Sequence, residues 1–372
     1  MDKKTILFLL NKEATYLPPF LSILDGLSSD YSLKIISRED ETDMARLLDL
    51  YSEKDVSFLT HALSHNKRTT LSRMRNAAKR VLGLPTKWHL DALQLIETTP
   101  HDLLWIIHEE TAFEFRKILV GKKYIVSLYE LNDHRRDFLD QLRPVLANAK
   151  EVLVPEYNRA CILRVWLGLD KTPTVIPNKP LAHPRNRNIP NAFQEQLKGK
   201  KIILYQGYIQ RTRNINTICE AVKEMSDYCV VLMGKGDNAY INELKHNYPQ
   251  IVHIEFIAPP EHLYVTSWAH IAIVKYDFVY LNAIYCAPNK TWEYTGFGIP
   301  VLCHNIPGLE YTIGAYKAGV CTDLDNMDSV KDAIKKIDSN YDYYTQNALT
   351  FFDSCNIDSE LHTVAQRNLN ER

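Results

Sequence analysis

Short apolar runs recur along this chain at 5–10, 32–37, 103–108, 124–129, 151–154 and 173–176. They continue at 201–206, 228–233, 251–257, 270–275 and 299–303. Helical patterns lie between many of them. Ile215, Ile218, Val222 and Met225, for example, recur at helical spacing after Arg213. Short apolar strands alternating with helices predict parallel sheets wound on both faces. The expected class is α/β, with two facing Rossmann-like, doubly wound parallel-sheet domains. Ligands then belong at the carboxyl ends of the strands, in a cleft between the domains.

Residues 177–200 hold Pro177, Pro180, Pro184 and Pro190 with little apolar content, and read as a linker. The boundary is expected near residue 185. That gives a first domain at 1–184, a second at 185–345, and a helical tail at 346–372 able to pack back across the first. At 372 residues and 45% hydrophobic content the chain suits two domains better than one core. Its net charge of −1 provides no global field for nucleic acid, so no nucleic-acid partner is expected. Seven scattered cysteines without a C-x-x-C pair suggest a reduced, cytoplasmic protein. The run Ile6 to Leu10 is too short for a signal peptide and reads as a buried strand. No stretch approaches the ~18 apolar residues of a membrane span, so a soluble or peripheral protein is expected.

Residues 286–303 carry the densest chemical signal. Pro288 suits a helix start, because its missing N–H needs no intrahelical partner. Gly298 sits where a helix ends in a left-handed residue, Pro300 stops it, and Val301-Leu302-Cys303 fits a buried strand. Lys290 and Glu293 are three apart and share a helix face near free backbone N–H groups, which attract anions. Such a set can hold a sugar nucleotide: lysine and N–H groups toward the diphosphate, carboxylate toward ribose hydroxyls. On spacing alone, a surface helix with an ordinary Lys/Glu pair fits equally well.

Five pieces in order, over roughly 150–325, resemble the donor half of GT-B glycosyltransferases, near the large retaining group called family 4. Val152-Leu153-Val154-Pro155 with Ala160 and Leu163, then Val175-Ile176-Pro177-Asn178, resembles the end of that family's first domain. Tyr205-Gln206-Gly207 through Arg211, Arg213 and Asn214 resembles its glycine loop. Val231-Leu232-Met233-Gly234-Lys235-Gly236 resembles its second strand and loop. Pro288-Asn289-Lys290 to Glu293-Tyr294, with Gly298 to Val301, resembles its donor-binding helix; Pro307-Gly308-Leu309-Glu310 and Gly319 complete the pattern.

The resemblance implies sugar transfer from a nucleotide-diphosphate sugar to a glycan or lipid-linked glycan. It implies retention, no protein nucleophile, no metal and no cofactor. Glu293 would bind the ribose, and Lys290 with the Asn289 to Thr291 backbone the diphosphate. Arg211 or Arg213 would add charge where the leaving diphosphate becomes negative. Gly207, Tyr208, Gly234 and Tyr285 would complete the donor site. Two positions depart from the pattern. Tyr285 stands where a second glutamate touches the donor sugar, and Tyr208 stands where a basic residue follows the loop glycine.

In the first domain, two strand ends carry polar clusters, His108-Glu109-Glu110 and Glu130-Leu131-Asn132-Asp133-His134. Strand ends facing a cleft suit an acceptor, which assigns His108, Glu109, Glu130 and Asn132 to acceptor binding; 108–110 can equally be a solvated loop, whereas 130–134 reads better as functional than as a solvated loop. The second resembles the His/Asp-bearing loop of relatives, with Asn132 near the histidine position, and this places Asp133 and His134 among the catalytic residues with Arg213 and Lys290. Residues 66–90 hold Lys67, Arg68, Arg73, Arg75, Lys79, Arg80 and Lys87 without an acidic residue. They can form a basic amphipathic segment on the anionic inner face of the cell membrane, or an exposed basic helix.

Three rival chemistries are open. Gly234-Lys-Gly236-Asp-Asn-Ala239 matches a dinucleotide fingerprint, with Glu255 one βαβ unit later. It follows the second strand of its domain rather than the first, and leaves 286–303 unexplained. A sugar-nucleotide epimerase of similar fold would use the carboxylates and histidines at 108–110 and 130–134. A degenerate transferase would bind nucleotide without turnover. Asp323-Leu-Asp325 could be a metal-binding D-x-D, but reads better as a solvated turn beside Asn326 and Asp328.

Overall fold

The computed structural model describes residues 3–59, 86–188 and 199–370. The chain divides into two compact units, Met1–Ile176 with Ile357–Arg372, and Pro177–Asn356.

The first unit is built on a seven-stranded parallel sheet in the order β3-β2-β1-β4-β5-β6-β7. Its strands are β1 (Thr5–Leu9), β2 (Ser32–Ile36), β3 (Val56–Phe58), β4 (Leu103–Ile107), β5 (Tyr124–Ser127), β6 (Glu151–Val154) and β7 (Thr174–Val175). Leu-Leu-Trp-Ile-Ile of β4 is buried throughout, as a strand covered on both faces must be. The helix Ile357–Asn370 belongs to this unit. Lys150 Nζ donates to the Asn368 carbonyl at 3.0 Å, and Arg367 Nε to Glu151 at 3.2 Å.

The second unit carries a six-stranded parallel sheet in the order β10-β9-β8-β11-β12-β13. These are β8 (Lys201–Gln206), β9 (Tyr228–Met233), β10 (Val252–Ile254), β11 (Ile271–Val274), β12 (Val301–His304) and β13 (Gly319–Thr322). Alternation along β8 sends Ile203 and Tyr205 into one core, and Ile202 and Leu204 into the other. Both sheets are therefore doubly wound, as the alternation of apolar runs predicts. The short strands β3 and β13 escaped that pattern. Val56–Phe58 has three residues, and most of Gly319–Thr322 is only half-buried.

The unit boundaries differ from those expected. The break lies after Ile176 rather than near 185, because 177–187 is tied into the second unit. Asn178 donates to the Ala287 carbonyl at 2.8 Å. Lys179 Nζ donates to the carbonyls of Phe352 (2.6 Å) and Cys355 (2.5 Å). Arg185 pairs with Asp353 at 2.8 Å. The tail likewise divides later than 346. Helix Tyr341–Asp353 stays with the second unit, where Phe351 stacks on Trp292 with centroids 4.3 Å apart.

Candidate functional site

In each sheet the winding reverses beside the first strand, between β1 and β4 and between β8 and β11. The carboxyl ends of strands at such a reversal form a crevice in which ligands of open α/β sheets bind. The polar side chains of both units gather there.

In the second unit β8 ends at Gln206 and passes into Gly207, whose φ of +132° suits glycine. Gly234, after β9, has φ +141°, and a Cβ there would lie 2.1 Å from the Gly207 carbonyl oxygen. A Cβ at Gly236 would lie 1.9 Å from the Ile209 oxygen. Close packing against the β8 loop thus accounts for these two glycines of the dinucleotide fingerprint. Gly234→Ala is expected to cost a few kcal/mol and to lower Tm by roughly 5–10 °C. A thermal melt at the wild-type temperature would refute that.

Helix Asn289–Thr295 follows Pro288, and Gly298 has the expected left-handed φ of +68°. The helix brings Lys290 and Glu293 together on Gln206, at the end of β8. Lys290 Nζ donates to the Gln206 backbone oxygen at 3.0 Å, and Gln206 Nε2 donates to Glu293 Oε2 at 2.6 Å. Thr266 Oγ1 donates to Gln206 Oε1 at 2.6 Å, and His262 Nε2 lies 3.2 Å from Glu293 Oε1. Burial pushes the Glu293 carboxyl up, but His262 and Gln206 outweigh it and hold the pKa below the usual glutamate value. The Lys290 amine is pulled down to about 7, first by burial and then by the nearby Arg213 guanidinium. Its Nζ lies 4.9 Å from the Tyr205 ring centroid and 5.8 Å from that of Tyr276.

The two arginines separate. Arg213 Nη1 donates to the Lys275 carbonyl at 2.9 Å, and its guanidinium lies 3.9 Å over Tyr276. Arg211 instead pairs with Glu243 on the exposed surface, over the Tyr240 ring, and is not brought to the cluster. Tyr208 is exposed, and its carbonyl accepts from the Tyr205 hydroxyl at 3.0 Å. Tyr285 is half-buried where helix Leu281–Ile284 ends, and Asn289 is half-buried at the start of the next helix. Thr291 is buried and its N–H already donates to the Pro288 carbonyl at 3.2 Å, so that amide is not open to a diphosphate.

The Asp323/Asp325 turn is more than a solvated loop. Asp325 pairs with Lys275, whose side chain is fully buried just past β11, and accepts from Asn214 Nδ2 at 3.3 Å. His304, Asp323 and Asp325 bring potential metal-ligating atoms within 4.8 Å of one another. The Lys275 ammonium already supplies Asp325 with a cation.

In the first unit His108 ends β4 with φ +80° and caps helix Glu109–Glu114. Its Nε2 lies 2.8 Å from Lys12 Nζ, and burial, then Lys12, lower its pKa to about 4. Glu109 is buried, which raises its pKa; it accepts from the Tyr129 N–H (3.1 Å) and Asn132 Nδ2 (3.3 Å). Asn132, at φ +52°, thus joins His108 and Glu109 in one cluster. Glu130 is exposed and 3.7 Å from Arg159, Asp133 is half-buried and His134 exposed. The basic segment 66–85 lies outside the described residues; Lys87 begins helix Lys87–Thr98.

Residues 188–348 match the family described as glycosyl transferases group 1. The fold is shared with HepE of Anabaena, solved with UDP and glucose: TM-score 0.74, 11% identity, 98% of this chain and 99% of that one covered. WaaG, a glycosyltransferase involved in lipopolysaccharide biosynthesis, aligns at TM-score 0.63 and 12% identity over 98% of this chain and 100% of that one. A putative UDP-N-acetylglucosamine 2-epimerase from Listeria monocytogenes also aligns at 0.63 and 12%, over 100% and 97%. No curated protein matches the sequence. The fold is GT-B, and the group 1 domain in the second unit makes the chain a glycosyltransferase.

Proposed function

We propose that the chain transfers a sugar from a nucleoside-diphosphate sugar to a glycan or lipid-linked glycan acceptor, in surface polysaccharide synthesis. The observation that carries this is the Lys290–Gln206–Glu293 cluster, with Arg213 beside it, where β8 and β11 diverge. Glu293 takes the ribose hydroxyls: a carboxylate offers about four lone-pair sites, so its two internal contacts leave room for more. Lys290 and Arg213 face the diphosphate. The sugar C1–oxygen bond to the diphosphate breaks as the acceptor hydroxyl oxygen bonds to C1, and the hydroxyl proton passes to the leaving diphosphate. The two cations neutralise the charge that passes to the leaving group.

Retention without a protein nucleophile follows the family resemblance, and the cations take the charge-neutralising role for which a metal would otherwise serve. Cofactors are therefore none, and UDP is the favoured nucleotide, as in HepE. The His108, Glu109 and Asn132 cluster serves the acceptor. The link of WaaG to lipopolysaccharide supports a surface-glycan role. Among the described residues no helix is long and apolar enough to cross a membrane. We place the protein in the cytoplasm, held to anionic lipid by 66–90. Neutralising Arg73, Arg75, Lys79 and Arg80 is expected to release it from anionic vesicles; unchanged co-sedimentation removes the membrane role.

Thermal shift with UDP, GDP, ADP, CMP and NAD tests the donor site. One nucleoside diphosphate is expected to stabilise the protein by about 2.7 kcal/mol at a hundredfold excess over Kd. A shift with NAD alone, or with none of them, overturns the proposal. A sugar nucleotide epimerised in the absence of acceptor would favour the epimerase reading, whose fold this chain shares.

A further inference from the structure

Two like charges sit side by side in the donor cluster, and what holds them is unusual. Among the described residues, neither Arg213 nor Lys290 is in an ion pair. Each instead donates to a backbone carbonyl just past or at a strand end, Arg213 to Lys275 and Lys290 to Gln206. The remaining support is aromatic. The Tyr276 ring lies 3.9 Å from Arg213 and 5.8 Å from Lys290, whose other neighbouring ring is Tyr205 at 4.9 Å. Its backbone is fixed in turn, because the Tyr276 carbonyl lies 2.6 Å from His304 Nδ1. A carboxylate in that place would hold both cations but cancel their charge. A π face attracts cations through its quadrupole and carries no net charge.

We propose that Tyr276 is a positioning residue, whose ring is the shared contact that keeps Arg213 and Lys290 together for a diphosphate; this rests on the donor-site reading above. The tyrosine does not touch the reacting atoms. It acts by keeping the Arg213 guanidinium and the Lys290 amine in place before the anion arrives, so that less reorganisation accompanies binding.

The test uses the full chain and two probes, inorganic pyrophosphate and UDP, with calorimetric titration of Tyr276→Phe, Tyr276→Leu and Lys290→Met. Tyr276→Leu is expected to weaken pyrophosphate about tenfold, whereas Tyr276→Phe keeps the face and stays within about threefold. The loss of pyrophosphate binding on the alkaline side should also move to lower pH in Tyr276→Leu, since the ring favours the protonated amine. A mere packing role would lower Tm without moving that limb. Wild-type affinity and an unmoved limb in Tyr276→Leu overturn the inference, as does equal damage from Tyr276→Phe. If Lys290→Met binds both probes normally, the donor-site reading itself falls. If Lys290→Met weakens them and Tyr276→Leu does not, only the role of Tyr276 falls.

Discussion

Glu293→Ala is expected to weaken nucleotide-sugar binding and turnover by on the order of 10- to 100-fold, the effect of losing charge-assisted hydrogen bonds. The argument rests on burial and on partners. The carboxylate is almost fully covered, yet it stays ionised because His262 and Gln206 outweigh the effect of burial. A buried carboxylate is costly unless it is paired, and pairing here is supplied from two other elements. Truncation has a second effect, since it leaves the Gln206 amide and the His262 imidazole without their acceptor. Each orphaned group costs about 1–3 kcal/mol, so Glu293→Ala also melts several degrees lower. Glu293→Gln separates the two effects by keeping the shape while removing the charge. Near-wild-type Tm with weak UDP binding assigns the carboxylate to the ligand. Near-wild-type UDP binding and turnover in Glu293→Ala would remove the ribose role.

Much of this site was legible because its helix is punctuated. Pro288 and Gly298 bracket a segment too short to mistake, and the three-residue spacing puts Lys290 and Glu293 on one face. The parallel sheets were legible for a similar reason, since strands buried on both faces leave unbroken apolar runs. The partners were not legible. Gln206 lies 87 residues before Glu293, and only the winding of the sheet brings them together. Lys275 and Tyr276 follow an apolar strand, where nothing in the pattern marks them as ligands of Asp325 and Arg213. Arg211 and Arg213 look equivalent in sequence; a single 3-10 turn, Arg211–Arg213, sends one to surface Glu243 and the other to the Lys275 carbonyl. In the first unit the polar strand ends were visible, but Lys12, which faces His108, comes from the loop after another strand. The linker ended early because its prolines do not mark where packing begins. His183 already reaches the Glu293 carbonyl at 2.9 Å.

Raising the pH from 7 to 9 is expected to weaken UDP binding by up to about a hundredfold, and Lys290 is the reason. Burial and Arg213 bring the free amine down to about 7, so at neutral pH it is only partly charged. A diphosphate attracts the ammonium and raises its pKa in the complex. Between those two values, binding takes up a proton, and affinity falls about tenfold per pH unit. The phosphate's own second ionisation, at about 6, is complete below that window. Lys290→Arg keeps a charge at every pH and should flatten the profile. Lys290→Met should bind UDP poorly at all pH values. Stability moves the other way. The folded amine titrates below its ordinary 10.5, so between 7 and 10.5 the unfolded chain holds more protons and stability rises with pH. Lys290→Met removes that slope and should melt no lower than wild type at neutral pH, although it loses its ligand. Calorimetric titration in buffers of different ionisation heat counts the proton directly. A flat wild-type profile with no proton uptake would mean that Lys290 is not the group that meets the diphosphate. A slope that persists in Lys290→Arg would assign the titration to another residue.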